Sequence, residues 1–177
     1  RSLIADYAFY LQPPGTIRGL VRRGIANILT SRGCPHSCVF CQSRHTMGRR
    51  LRTRSPGHVC TEIGLLKQRY GIRGVFFFDD SLTLRREWVI ALCEEMIARG
   101  LGLQWACQSR ADSLDRDLVR IMKAAGCIQI DIGIESGDPR VLEILKKGET
   151  VNDYLQAADM IHREGIRLLC SFVVGSP

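Results

Sequence analysis

Apolar residues recur along the chain in two alternating rhythms, one with the period of a buried strand and one with that of a helix. Ile25 to Ser31 is a short apolar run, read as a strand. Ser55 and Pro56 then supply an N-cap and a first-turn proline, and Val59, Ile63, Leu66 and Tyr70 follow at helical spacing before Gly71 stops the helix. Val75 to Asp79 predicts a second strand. Val89, Leu92, Cys93, Met96 and Ile97 share one face of the next helix, which ends at Gly100 ahead of a third strand, Leu103 to Gln108. Ser113 is the expected cap of a helix with Leu114, Leu118, Ile121, Met122 and Ala125 inward and Gly126 at its end. A fourth strand covers Ile128 to Ile134. Asp138 and Pro139 open a short helix, Thr150 caps another with Tyr154, Ala158 and Ile161 on one side, and Gly165 precedes a fifth strand, Arg167 to Val174.

Strands separated by helices of this length imply βαβ units and a parallel sheet, either a barrel or an open doubly wound form. The fourth strand favours the barrel. Ile128, Ile130, Ile132 and Ile134 face one way and Gln129, Asp131, Gly133 and Glu135 the other. An open sheet with helices on both faces should be apolar on both, whereas a barrel housing a polar ligand carries polar residues inward. Polar residues also gather just past the strand ends: Arg32 and Cys34, Asp79 and Asp80, Ser109 and Arg110, Glu135 and Ser136, and Ser176. That rim is where parallel α/β barrels build their active sites. The expected fold is thus α/β, a partial TIM-like (β/α) barrel.

With 177 residues, 45% hydrophobic and 24% charged, the composition is globular and excludes disordered and collagen-like classes. No run approaches the roughly 20 apolar residues of a membrane helix. Lysine and arginine outnumber acidic residues 25 to 18, a charge of +7 that favours anionic ligands without naming one. The eight cysteines, with no export signal ahead of them, suit a reducing cytoplasm better than a disulfide scaffold.

The cysteines are unevenly spread. Cys60, Cys93, Cys107, Cys127 and Cys170 are scattered singly and read as small buried hydrophobes. Cys34, Cys38 and Cys41 lie together in Cys34-Pro35-His36-Ser37-Cys38-Val39-Phe40-Cys41, directly after the first strand. Soft thiolates at such spacing bind zinc or an iron-sulfur cluster. Structural zinc requires four protein ligands, and His36, His45 or Cys60 would have to complete the set at no standard zinc-finger spacing. A four-iron cluster on three cysteines instead leaves one iron open, which is a catalytic arrangement.

The spacing Cys-x3-Cys-x2-Cys with Phe40 before the last cysteine resembles the signature of the radical S-adenosylmethionine (SAM) enzymes. Further stretches resemble their cobalamin-binding branch: Thr30 to Pro35 at the approach to the cluster, Gly74 to Thr83 around the second strand, Gly133-Ile134-Glu135-Ser136-Gly137 with Val141, Leu142, Lys147 and Gly148, and Phe172 to Pro177. The resemblance implies that Cys34, Cys38 and Cys41 hold a [4Fe-4S] cluster whose open iron chelates SAM, and that reductive cleavage yields methionine and a 5′-deoxyadenosyl radical. It implies further that Asp79 or Asp80 meets the SAM ammonium and Arg110 its carboxylate. Glu135 would take the ribose hydroxyls, and the Phe40 backbone and the Gly175 region the adenine. A flavodoxin or ferredoxin would donate the electron to the cluster.

In the resembling branch a cobalamin domain precedes the barrel. Residues 1–24, with Pro13-Pro14-Gly15, look like the linker leading out of one, and residues 25–177 like the core, cut short before a sixth strand. No Asp-x-His-x-x-Gly cobalamin motif occurs among His36, His45, His58 and His162, so cobalamin would come from a domain this chain does not include. The expected activity is that of a cobalamin-dependent methyltransferase or cyclase acting on a small molecule. A basic run, Arg44, His45, Arg49, Arg50, Arg52 and Arg54, offers two alternatives: a methylthiotransferase acting on tRNA, or a zinc-stabilised nucleic-acid module. Without interleaved aromatics for base stacking, the run reads first as a solvated loop.

Overall fold

The computed structural model describes residues 24–175. The expected linker before Gly24, and Ser176 and Pro177, lie outside them. The elements are, in order, β1 (Ile25–Ile28), β2 (Ser31–Arg32), α1 (Ser43–Thr46), β3 (Arg52–Thr53), α2 (Pro56–Tyr70), β4 (Gly74–Phe77), α3 (Arg86–Ala98), β5 (Gln104–Ser109), α4 (Arg116–Ala124), β6 (Cys127–Glu135), α5 (Pro139–Ile144), α6 (Val151–Arg163) and β7 (Arg167–Phe172). One sheet has five parallel strands in the order β1-β4-β5-β6-β7, and β2 and β3 form a small antiparallel ribbon. Sheet order follows chain order with no reversal, so every crossover runs the same way round. A doubly wound sheet reverses at a switch point; this one is part of a (β/α) barrel.

Local signals explain most element ends. Ser55 Oγ accepts from His58 N at 3.3 Å, and Gly71 closes α2 in the left-handed region at φ 62°. Thr150 and Asp153 form a reciprocal capping box on α6. Ser113, however, does not cap α4. Its hydroxyl is turned to the Arg110 carbonyl (2.9 Å) and Thr83 Oγ1 within a 3-10 turn, Ala111–Ser113, and Asp115 caps the helix by accepting from Leu118 N. Two inward faces also shift. Ile97 is 49% exposed, one residue step past buried Met96, and Trp88 occupies the face instead, its Nε1 donating to the Arg54 carbonyl at 2.7 Å. On α6 the buried alanine is Ala157 rather than Ala158.

The core lies between the helices and one face of the sheet. Val75, Phe77, Trp105, Cys107, Cys127, Ile130 and Ile132 meet Val59, Ile63, Leu92, Leu118 and Met122 there, with the Phe77 and Trp105 rings edge-on at 5.3 Å. The other face carries only a thin apolar layer, Ile25, Phe76 and Ala106 with Ile128 against it. Ile128 therefore faces opposite to Ile130, against the strict alternation expected. The cause is a bulge: Trp105 pairs with Cys127 and Ala106 with Gln129, so both Ile128 and Gln129 turn to the concave side before the period resumes.

Candidate functional site

Past that thin layer the concave face becomes polar. Cys34, His36, Cys38, Phe40, Cys41, Ser43, Asp80, Ser109, Arg110, Asp131, Glu135, Lys147 and Ser171 line a single cavity of about 390 Å³, within the range of small-ligand sites. The cysteine loop is tied down from several sides. Cys34 N donates to the Gly48 carbonyl (3.1 Å), Val39 N to the Leu145 carbonyl (3.0 Å) and Arg49 Nη2 to Ser37 Oγ (2.6 Å). Gly33, at φ 94°, passes so close to the segment leading into β3 that a Cβ would sit 2.3 Å from the Arg50 carbonyl oxygen, which only glycine permits. Burial pushes the Cys34 thiol pKa up, and nearby Asp80, Cys41 and Cys38 add to it, while the His36 backbone opposes.

The structure separates the acidic pair. Asp79 is 1% exposed and points away from the cavity, accepting from Thr30 N and Thr30 Oγ1 and from Ser31 N and Ser31 Oγ. Its carboxylate ties the end of β4 to the chain entering the cysteine loop and is not among the groups that line the cavity. Burial raises its pKa against those hydrogen bonds. Asp80, next along the extended chain and so on the opposite side, lines the cavity and accepts from Ser43 Oγ.

Arg110 lines the cavity too, yet much of its guanidinium is committed: Nε and Nη2 form a bidentate pair with Asp112 (2.9 and 2.7 Å), and Nη2 also donates to the Lys147 carbonyl at 3.0 Å. Glu135 faces the cavity as the alternation requires, with Lys147 Nζ 3.3 Å from its Oε1. Lys147 and Glu149 belong to this cluster, and sequence reading assigned them no role; the available signal was their place one short helix after Glu135. His36 lines the cavity with its pKa lowered, by burial first and then by Arg110 and Lys147. Phe40 borders the cavity, while Gly175 (φ 88°) is not among its lining residues.

The basic run is exposed except for half-buried Arg54, and several of its side chains bond to the loop itself. Arg54 pairs with Glu62 at 2.5 Å and donates to the Leu29 carbonyl, Arg52 donates to the Met47 carbonyl, and Arg44 Nε to its neighbour His45. Among the described residues no three His, Cys, Asp or Glu side chains converge on the point that one metal ion would occupy. Three separate thiols bordering one cavity suit a cluster, which spreads its ligands over different irons, and in that sense the donor set fits. No helix among the described residues is long and apolar enough to cross a membrane.

Residues 28–177 match the model of the radical SAM superfamily, and the chain belongs to that family of enzymes. It is 36% identical over 150 residues to an uncharacterized methyltransferase of Pyrococcus horikoshii, covering 85% of this chain and 33% of that protein. It is 33% identical over 159 residues to the anaerobic magnesium-protoporphyrin IX monomethyl ester cyclase of Cereibacter sphaeroides, covering 88% and 26% respectively. The chain thus spans about a third or less of the curated relatives it matches. Among solved structures, the radical SAM methyltransferase TsrM from Kitasatospora setae superposes with a TM-score of 0.80 over 97% of this chain and 36% of that one, at 22% identity.

Proposed function

We propose that Cys34, Cys38 and Cys41 hold a [4Fe-4S] cluster and that the cavity beside them binds SAM, within a cobalamin-dependent methyltransferase or cyclase. The observation that carries this reading is that the three cysteines, an exposed aspartate and the Glu135 and Lys147 pair border one cavity at the C-terminal strand ends. With the cluster bound, the chemistry supplied is one-electron reductive cleavage of SAM to methionine and a 5′-deoxyadenosyl radical. The protein's part is positioning. Asp80 offers a carboxylate beside Cys41 for the SAM ammonium, Arg110 faces its carboxylate while braced by Asp112, and Glu135 accepts from the ribose hydroxyls. Of the two aspartates after β4, the ammonium contact is assigned to Asp80, which lines the cavity, rather than to Asp79, which is buried against Thr30 and Ser31. Phe40 flanks the adenine end.

Cobalamin is supported by the cobalamin-bound radical SAM enzymes among the solved structures that share this fold. The substrate is a small molecule, the electron donor a flavodoxin or ferredoxin, and the setting the cytoplasm, where the eight free thiols stay reduced. A small molecule rather than nucleic acid is the favoured partner, since the basic run carries no interleaved aromatics for base stacking and Arg52 and Arg54 bond to the loop's own carbonyls and Glu62. Electron paramagnetic resonance on anaerobically reconstituted, reduced protein tests the reading. A four-iron signal that changes shape on adding SAM, and is lost in Cys38→Ala, is expected; stoichiometric zinc without such a signal would overturn it.

A further inference from the structure

Glu135 is held in an unusual way. It is a non-glycine residue at φ 63°, in the left-handed region that L side chains enter at a cost, and it sits where the β6 register against β7 slips between Gly133 and Glu135. The turn brings its carboxylate back over Gly133. A Cβ on residue 133 would lie 2.3 Å from Glu135 Oε1 and 3.3 Å from Lys147 Nζ, so both groups occupy the space that glycine leaves. Lys147, only 7% exposed, stands between two carboxylates, 3.3 Å from Glu135 Oε1 and 3.3 Å from Glu149 Oε2. Glu149 is itself fixed, its Oε1 accepting from Ala111 N (2.6 Å) and Asp112 N (3.2 Å), and its Oε2 lies 3.6 Å from Arg110.

A buried ammonium flanked by two carboxylates has its charge spent and is poorly placed to attract an anionic ligand. What it can do is fix a neighbour. We infer that Lys147 is a positioning residue for Glu135: seated in the clearance over Gly133 and braced by Glu149, it holds Glu135 Oε1 and so sets the orientation in which the second oxygen meets a ligand hydroxyl. The inference rests on the SAM-site reading above. The left-handed backbone alone would aim the side chain only loosely, since the remaining side-chain torsions stay free; the ion pair removes that freedom before the ligand arrives.

The test is a double-mutant cycle on SAM affinity, measured by equilibrium dialysis with cluster-loaded protein. Lys147→Met is expected to raise Kd roughly tenfold, as loss of an outer orienting partner typically does, and Lys147→Arg to restore most of that. In a Glu135→Gln background the same Lys147→Met change should add less than about twofold, because the residue it acts through is already altered. An undiminished effect of Lys147→Met in that background, or no effect in the wild-type one, overturns the inference while leaving the site reading standing. Absence of SAM binding by loaded wild-type protein overturns both. Should Lys147→Met lose its iron or its circular dichroism, Gly133→Ala provides the second route: its methyl group displaces the same two atoms, and an unchanged Kd there refutes the inference equally.

Discussion

Removing the Asp79 carboxylate should unfold the approach to the cysteine loop, whereas removing that of Asp80 should leave the fold intact. In Asp79→Ala the buried Thr30 N and the part-buried Ser31 N lose their acceptor, as do both hydroxyls. A buried donor left unpaired costs ~1–3 kcal/mol. Charging Thr30, which is 0% exposed, the full amount and Ser31 less, since water can reach it, gives a loss of about 3 kcal/mol. Asp79→Asn keeps an oxygen at Oδ1, where all these donors converge, and should cost less than about 1 kcal/mol near neutral pH.

The pH dependence sharpens the comparison. Burial raises the Asp79 pKa, so its proton is held more tightly in the folded state than in the unfolded one. The associated stability is fully present below the ordinary carboxylate pKa and is lost as pH rises through the folded value. Asparagine does not ionise, so wild type should lose ground to Asp79→Asn as pH climbs out of the acid range. Anaerobic urea unfolding of wild type, Asp79→Ala, Asp79→Asn and Asp80→Ala over that range reads all of this. An Asp79→Ala protein within about 0.5 kcal/mol of wild type, or an Asp80→Ala protein as damaged as Asp79→Ala, would refute the division of labour between the two carboxylates.

Asp80→Ala, in turn, should weaken SAM binding in dialysis of the loaded protein by at least about tenfold, because an exposed carboxylate in the cavity is removed without loss of core packing. Brief alkylation of the cluster-free protein at mildly alkaline pH, followed by peptide mass spectrometry, should label Cys34, Cys41 and Cys170. It should spare Cys60 and Cys93, whose thiols burial pushes up to about 11 and about 12, along with fully buried Cys107 and Cys127. Gly126→Ala should cost more than about 2 kcal/mol in urea unfolding, since its φ is 97° and a Cβ would meet the Leu103 carbonyl oxygen at 2.3 Å.

Much of the architecture was legible because its signals are local. Ser55-Pro56 and Gly71 bound α2, Thr150 caps α6, and the cysteine spacing marks the loop after β1 whatever the tertiary context. What was not legible depended on residues distant in sequence. Ser113 has the chemistry of a helix cap, and only the approach of Thr83 diverts its hydroxyl and passes the cap to Asp115. The Asp79-Asp80 pair is symmetrical as sequence, and the asymmetry comes from Thr30 and Ser31, which lie 49 and 48 residues away. Lys147 stood in the sequence only as part of a family-like stretch and Glu149 carried no signal, because their partners Ala111, Asp112 and Arg110 come from the turn after β5.

Strand β6 shows where such failures concentrate. A period of two read from Ile128 to Glu135 fails at Ile128 and holds from there to Glu135, and each end carries a register shift. The first shift turns Ile128 and Gln129 together onto the concave face, so the apolar layer there gains Ile128 to cover the base of the sheet. The second turns Glu135 into the left-handed region over Gly133, and without it the carboxylate would continue along the strand rather than fold back to Lys147. A bulge is unfavourable for the ladder that contains it and is kept where it re-aims a side chain. In this chain both act on the face that holds the cavity, one adding Ile128 to the thin apolar layer there and one setting Glu135 at the cavity's rim, so irregular register and the site share one face.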